Sequence, residues 1–156
     1  MKYTLILLLC ISTISASAQE VIERIREQRC PITFYKRTDS TDLKITKSAV
    51  KARATKNLLI NYQCAGEAAS LLNGEALYLV ITDVDGKQMS NELYKPMMLN
   101  INSREIRVYA QGVYRENTGI SFEIVPPGDK WQKDTTYIFR FCTEEGVIAK
   151  KILLFN

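Results

Sequence analysis

Apolar and polar positions change rhythm along the chain, and each rhythm predicts a different element. Residues 5–14 form a nearly continuous apolar run. Residues 19–29 place Val21, Ile22 and Ile25 on one helical face, with Glu20 and Arg24 spaced as an i,i+4 pair, which predicts a short helix. It should end before Cys30-Pro31, because proline pushes the preceding residue out of helical geometry. A helix of this length is marginal alone and needs a surface to lie against. Residues 32–35 suit a short strand and 36–42 a polar turn. Residues 43–56 alternate weakly (Leu43, Ile45) among lysines, as an edge strand or mobile arm would.

From residue 58 onward the period is two, punctuated by turn dipeptides. Leu58, Ile60, Tyr62 and Cys64 share one side of the first clear strand. A helical turn over 67–72 closes at Asn73-Gly74. The apolar strand 76–82 leads through Asp85-Gly86 into a predicted strand over 87–94, which Pro96 ends. Residues 104–114 alternate Ile106, Val108 and Ala110 against Arg107, Tyr109 and Gln111, as a half-buried antiparallel strand does. Strand 120–125 stops at Pro126-Pro127-Gly128. Residues 135–143 and 147–155 form a last hairpin around Glu145-Gly146. The fold class expected is all-β: a single antiparallel β-sandwich of immunoglobulin-like type with about seven strands, since strands apolar on both faces need two covers. The expected organisation is residues 1–18 as a leader, 19–56 as short helix plus basic arm, and 57–156 as the sandwich.

The leader reading rests on Lys2, the apolar run and Ser-Ala-Ser-Ala before Gln19, the three parts of a secretory signal peptide. The run is shorter than the roughly 20 residues a spanning helix needs, so no stable membrane insertion is expected. Leu7-Leu8-Leu9 ahead of Cys10 argue against lipid attachment there. Export to periplasm, cell envelope or extracellular space follows, and with it permission for disulfides. Cleavage leaves 138 residues, enough for one domain.

Charge sharpens the picture. The formal net charge of +4 hides an asymmetry: residues 24–56 hold ten basic side chains against three acidic ones, whereas 57–156 hold ten against twelve. The ten are Arg24, Arg26, Arg29, Lys36, Arg37, Lys44, Lys47, Lys51, Arg53 and Lys56. They are candidate partner-binding residues for an acidic protein surface, with an anionic surface of another kind also open to them. Nucleic acid is not an expected partner of an exported chain. Beyond the leader, Cys30, Cys64 and Cys142 allow one disulfide and one remaining thiol, with the pairing open.

Residues 131–141, WQKDTTYIFRF, resemble the penultimate strand of immunoglobulin-like and fibronectin type III domains. The resemblance implies that Tyr137 tucks its hydroxyl onto backbone at a corner. Tyr137, Phe139 and Phe141 share one phase and Cys142 the other, so a Cys64–Cys142 bridge would need a bulge or a core on the opposite face. Trp131 is expected to plug the end of the sandwich. The ending GVIAKKILLFN, with ITDVDGKQM upstream, is similar to C-terminal sorting domains of the type IX secretion pathway, although Thr135-Thr136 replaces the glycine usual there.

Chemistry is scarce. The chain has no histidine, which excludes Ser-His-Asp and Cys-His sites and histidine metal ligation. Phosphate-cradling and dinucleotide-binding glycine patterns are absent from the sequence. Glu105, Glu116 and Glu123 read as outward strand residues, and Asp83 with Asp85 as a turn rather than a calcium loop. No catalytic residue, cofactor or metal is expected. The expected function is therefore a non-enzymatic structural or adaptor subunit, docking through its basic N-terminal segment onto a protein partner or its own copies. The assembly would be an envelope machine or a phage tail or virion ring. The alternatives are a glycan- or peptide-binding module using Tyr78, Tyr94, Tyr109, Tyr114 and Trp131, or an inhibitor wedging the loop 125–133.

Overall fold

The computed structural model describes residues 18–91 and 97–156. Residues 1–17 of the expected leader, Tyr94 and the Pro96 break lie outside the described residues, while Ala18, the last leader residue expected, begins a helix. Helix α1 covers residues 18–27. It is followed by β1 (Ile32–Arg37), β2 (Asp42–Ile45), β3 (Ala49–Val50), β4 (Asn57–Tyr62), α2 (Gly66–Leu72) and β5 (Ala76–Asp83). The second half supplies β6 (Met97–Ile101), β7 (Arg104–Val108), β8 (Ala110–Val113), β9 (Ile120–Ile124), β10 (Thr135–Thr143) and β11 (Gly146–Phe155).

Two sheets stack. One has the order β2-β1-β4-β9, the other β3-β11-β10-β5-β8, and β6-β7 form a separate hairpin. Every pairing is antiparallel except β3 with β11. The neighbours β1-β4-β9 and β11-β10-β5-β8 reproduce the A-B-E and G-F-C-C′ neighbours of an immunoglobulin-like sandwich. The core between the sheets is aromatic: Phe34 meets Phe139 edge-on at 4.8 Å, and Tyr62 stacks on Phe141 at 4.9 Å. Each pair joins one sheet to the other, so burial of a few large rings sets the layer spacing.

The strand phases expected for 58–64 and 135–143 hold, with Leu58, Ile60, Tyr62, Tyr137, Phe139 and Phe141 all buried. Elsewhere the chain departs from its local pattern. Among the described residues there are eleven strands, nine of them in the two stacked sheets, against about seven expected. The single strand expected over 104–114 is two, because the chain changes neighbours at Val108: β7 pairs with β6, whereas β8 pairs with β5. Val108 packs on the outer face of the second sheet and Tyr109 enters the main core, so both are buried on opposite sides. Over 87–91 the expected strand is reduced to a Thr82–Gln88 bridge and a bond from Met89 N–H to the Ile81 carbonyl. The turn before it is stabilised by Asp83, whose carboxylate accepts from the amides of Asp85 and Lys87.

Strand β6 was not expected from the sequence pattern. It turns into β7 through Asn102 and Ser103, both at positive φ (51° and 62°), the geometry of a tight hairpin. This hairpin lays Ile101 and Val108 over Tyr78, Val80 and Cys142. The second sheet is thus covered on one face by the first sheet and on the other by β6-β7. That explains why β5 is buried along nearly its whole length.

Residues 19–56 are not an appendage. β1 lies inside the first sheet, paired with β4 over six residues, and Phe34 is a core residue. The edge-strand reading of this region applies to β2 and β3, which end the two sheets. α1 packs Ile22 and Ile25 onto the same core. Its Arg24 pairs with Glu67 of α2 rather than with Glu20, so the expected intrahelical pair gives way to a tertiary one. A disulfide joins Cys30 to Cys64, fastening the end of α1 to the end of β4.

Candidate interaction surface

On the side of the sandwich where β2 and β11 lie, neither sheet is finished. β2 ends the first sheet. In the second, β3 covers β11 only at Leu154 and Phe155. The amides of Leu154 and Asn156 donate to the carbonyls of Ser48 and Val50, which fixes the direction in which this edge faces. Beyond that contact, Arg26 Nε of α1 donates to the Val147 carbonyl at 2.8 Å. Between the two contacts β11 has no strand neighbour on this side among the described residues.

Lys151 occupies the mouth of this seam. Its register partner is Phe139, so it points toward the core, and its Nζ donates to the Ile32 carbonyl at 2.7 Å while lying 5.4 Å from the Phe34 ring centre. Partial burial, with Lys44 close by, lowers its pKa from the ordinary lysine value. A lysine turned inward at a sheet edge disfavours the addition of an uncharged strand, which would bury its ammonium without a counter-charge.

The ten basic candidates are divided among different environments. Arg24 is bound to Glu67, and Arg26 serves the Val147 carbonyl and lies 3.8 Å from Glu23. Arg37 belongs to a ladder on the outer face of the first sheet, where it holds Asp42 at 3.1 Å and Glu123 at 2.9 Å. Asn57 donates to Glu123 and Asn61 to Ser121 on the same face. The hydrogen bond and charge of Arg37 hold the Asp42 carboxyl below its usual range, and the Asp42 bond and Glu123 raise Arg37 in turn. Arg29 closes α1 at positive φ (48°), and Lys36 is half-buried at the end of β1. Lys44, Lys47, Lys51, Arg53 and Lys56 are exposed and make no ion pair among the described residues. They follow one another through β2, β3 and the 3-10 turn Ala52–Ala54 with no acid between them. Lys150 and Lys151 on β11 add to this side; sequence reasoning did not single them out, because the contribution of β11 to the seam is a tertiary fact.

The structural candidates sit as follows. Cys30 and Cys64 are bonded to each other, and Cys142 is a buried free thiol on the opposite face of β10 from the core aromatics. Burial pushes its pKa up to about 11. Trp131 is buried, stacked on Phe155 at 4.1 Å, and its indole N–H donates to the Lys56 carbonyl at 2.8 Å. Tyr137 closes the same cluster at 5.4 Å from Trp131, and a backbone hydrogen bond with Gln132 partly offsets the upward push of burial on its hydroxyl.

Of the aromatics considered above as a platform, Tyr78, Tyr109, Tyr114 and Trp131 are buried, and Tyr94 lies outside the described residues. Tyr109 and Tyr114 instead serve the backbone. The Tyr109 hydroxyl accepts from the Val125 amide and donates to its carbonyl, and the Tyr114 hydroxyl accepts from the Cys64 amide at 2.8 Å. The loop 125–133 is held at both ends by buried Pro126 and Trp131, so its freedom as a wedge is small. Glu105 is exposed, Glu116 accepts from Ser70 and Glu123 from Arg37, each in a separate setting.

On the opposite side, β8 and β9 flank a groove of about 510 Å³ lined in part by Arg107, Tyr109, Gln111, Phe122 and Glu123. Close packing of the two strands shows at Gly112 of β8, where an added Cβ would stand 2.9 Å from Ile120 Cδ1 of β9. Among the described residues no cluster of His, Cys, Asp or Glu could hold a metal ion, and no helix is long and apolar enough to cross a membrane.

The chain matches no protein-family model, no curated protein and no solved structure. Its class, an all-β sandwich with immunoglobulin-like strand order, rests on the topology alone.

Proposed function

We propose that the protein is a non-enzymatic, exported subunit that docks into a larger assembly through the lysine-rich seam of β2, β3 and β11. The observation that carries this reading is the run of exposed cations from Lys44 to Lys56, left without ion pairs among the described residues, beside a sheet edge that β3 covers only in part. Opposite charge on a partner would steer encounter and fix register there. The intramolecular disulfide fits folding in an oxidising compartment. The absence of histidine from the chain favours binding over acid–base or nucleophilic chemistry.

The test is purification of the tagged chain from its native cells beside a Lys44→Glu/Lys47→Glu/Lys51→Glu variant. A stoichiometric partner or oligomer with the wild type, lost in the variant at unchanged thermal stability, is expected. A monomer without partner in both sinks the reading. Truncation before residue 57 is no substitute, since it removes β1 from the interior of a sheet.

The β8–β9 groove favours a second reading, a ligand-binding module. Combining Arg107 and Glu123 with the Phe122 ring, it offers polar and apolar contacts to a peptide or glycan. Glycan- and peptide-array binding that Arg107→Ala abolishes would support this reading over the first.

A further inference from the structure

In an antiparallel pair, a residue that turns its N–H away from its partner strand turns its C=O away as well, and the direction alternates along the strand. Leu154 donates outward to Ser48, so along the regular β10–β11 register Ile152 and Lys150 also present both backbone groups outward. Nothing among the described residues pairs with them. The chain that would continue β3 backwards along this edge is diverted instead: residues 42–45 pair with β1 as β2 in the other sheet. The vacancy runs from Arg26 at the Val147 carbonyl to Ser48 at the Leu154 amide. At about 3.3 Å per residue the intervening stretch offers room for a strand of roughly five residues.

The surroundings select what such a strand carries. Lys150 and half-exposed Ile152 flank the edge on the outer face, Lys151 flanks it on the inner face, and Lys47 stands one residue before Ser48. Glu144 and Glu145, at the β10–β11 turn, lie beyond the Arg26 contact, and Glu144 accepts from Tyr78. A second copy of this edge would set lysine against lysine, whereas an acidic strand would find a cation on each face. We propose that β11 is completed by an extended acidic segment of a partner protein, added as a further strand at Lys150 and Ile152. This rests on the seam being the docking surface and names what docks. Lysines that exclude neutral edges would admit an acidic one, giving specificity by rejection as well as attraction.

The probe is a capped heptapeptide alternating glutamate and valine, added to the ¹⁵N-labelled disulfide-bonded chain, with amide exchange read by NMR. At about ten times its Kd, the Lys150 and Ile152 amides should exchange about tenfold more slowly, with no such change at the β2 edge or along β9. Ile152→Pro, which removes an outward N–H and leaves the β10 ladder intact, should abolish this protection. Lys150→Glu should do so without any backbone change, and a lysine–valine peptide should fail with the wild type. Protection elsewhere, none at all, or protection that survives in Ile152→Pro overturns the proposal. Failure here with partner loss in the Lys44/Lys47/Lys51 reversal would leave the seam standing and refute only the strand; failure of both refutes the seam.

Discussion

Cys30 and Cys64 close a covalent loop with a sequence separation of 34, tying the C-terminal end of α1 to the end of β4. On the Cys64 side the anchor is double, since its backbone amide also donates to the buried Tyr114 hydroxyl. Closing a loop of this length removes chain entropy from the unfolded state worth about 3–4 kcal/mol. Cys30→Ser/Cys64→Ser should lower stability by about that amount in chemical denaturation, with α1 losing exchange protection first. Thiol titration of denatured, unreduced chain beginning at Gln19 should give one free thiol; three would refute the bridge.

Trp131 seals one end of the core against Phe155 and Tyr137, and it is the only tryptophan in the sequence. Trp131→Ala empties a well-packed site and should cost about 3–5 kcal/mol. In the wild type, tryptophan emission should be that of a buried ring and shift to the red in one transition with the loss of circular dichroism. An exposed-type spectrum in the native protein would contradict the plug.

Cys142 faces the β6-β7 hairpin in a dry cluster with Tyr78, Val80, Ile101 and Val108. With its pKa near 11, only about a thousandth of the thiol is ionised at pH 8. Alkylation by iodoacetamide at pH 8 should therefore follow the rate of opening of this cluster and be negligible in the native state. Met97→Ala and Ile106→Ala, which thin the cover, should accelerate it. Rapid labelling of the wild type would place the thiol elsewhere.

Lys151 gives a pH signature of definite sign. Its folded pKa lies below the ordinary value of 10.5, so the unfolded chain binds more protons between the two. The contribution of this group to stability therefore rises with pH from the lowered value up to about 10.5 and is constant beyond. Buried Tyr62 and Tyr109 act in the opposite direction, because their raised pKa values make unfolding easier as tyrosines ionise. Comparing wild type with Lys151→Met cancels the tyrosines: the difference in midpoint should shift in favour of the wild type across that window. At neutral pH the variant should differ by no more than about 1 kcal/mol, since a lost hydrogen bond offsets a relieved desolvation. It should self-associate at high concentration, as light scattering would show.

The geometry of one turn shows how closely the two sheets' connections are fitted. Gly119 has φ +66° and packs so near β4 that an added Cβ would lie 2.4 Å from the Tyr62 carbonyl oxygen. Gly119→Ala should be among the most destabilising single substitutions outside the core, by a few kcal/mol through clash and strain together. Gly86→Ala, with positive φ but open space, should cost distinctly less.

Local features follow from the order of residues: the phase of β4 and β10, the short helix, the turn at Asp85-Gly86, and Cys142 on the opposite face from Tyr137, Phe139 and Phe141. These are legible because side-chain direction alternates along a strand and each residue reports its own burial. Which strands become neighbours is settled by long-range packing. Val108 and Tyr109 are adjacent in sequence yet bury on opposite sides, because the chain changes pairing partner between them. Cys30 found Cys64 because α1 crosses the end of β4, which no spacing rule encodes. The basic run from Lys44 lines a seam between two sheets only because β2 pairs with β1 while β3 pairs with β11, a hundred residues later. Hydrophobic period is a one-dimensional signal, whereas pairing is settled by which backbone donors and acceptors are still unmatched when the layers close.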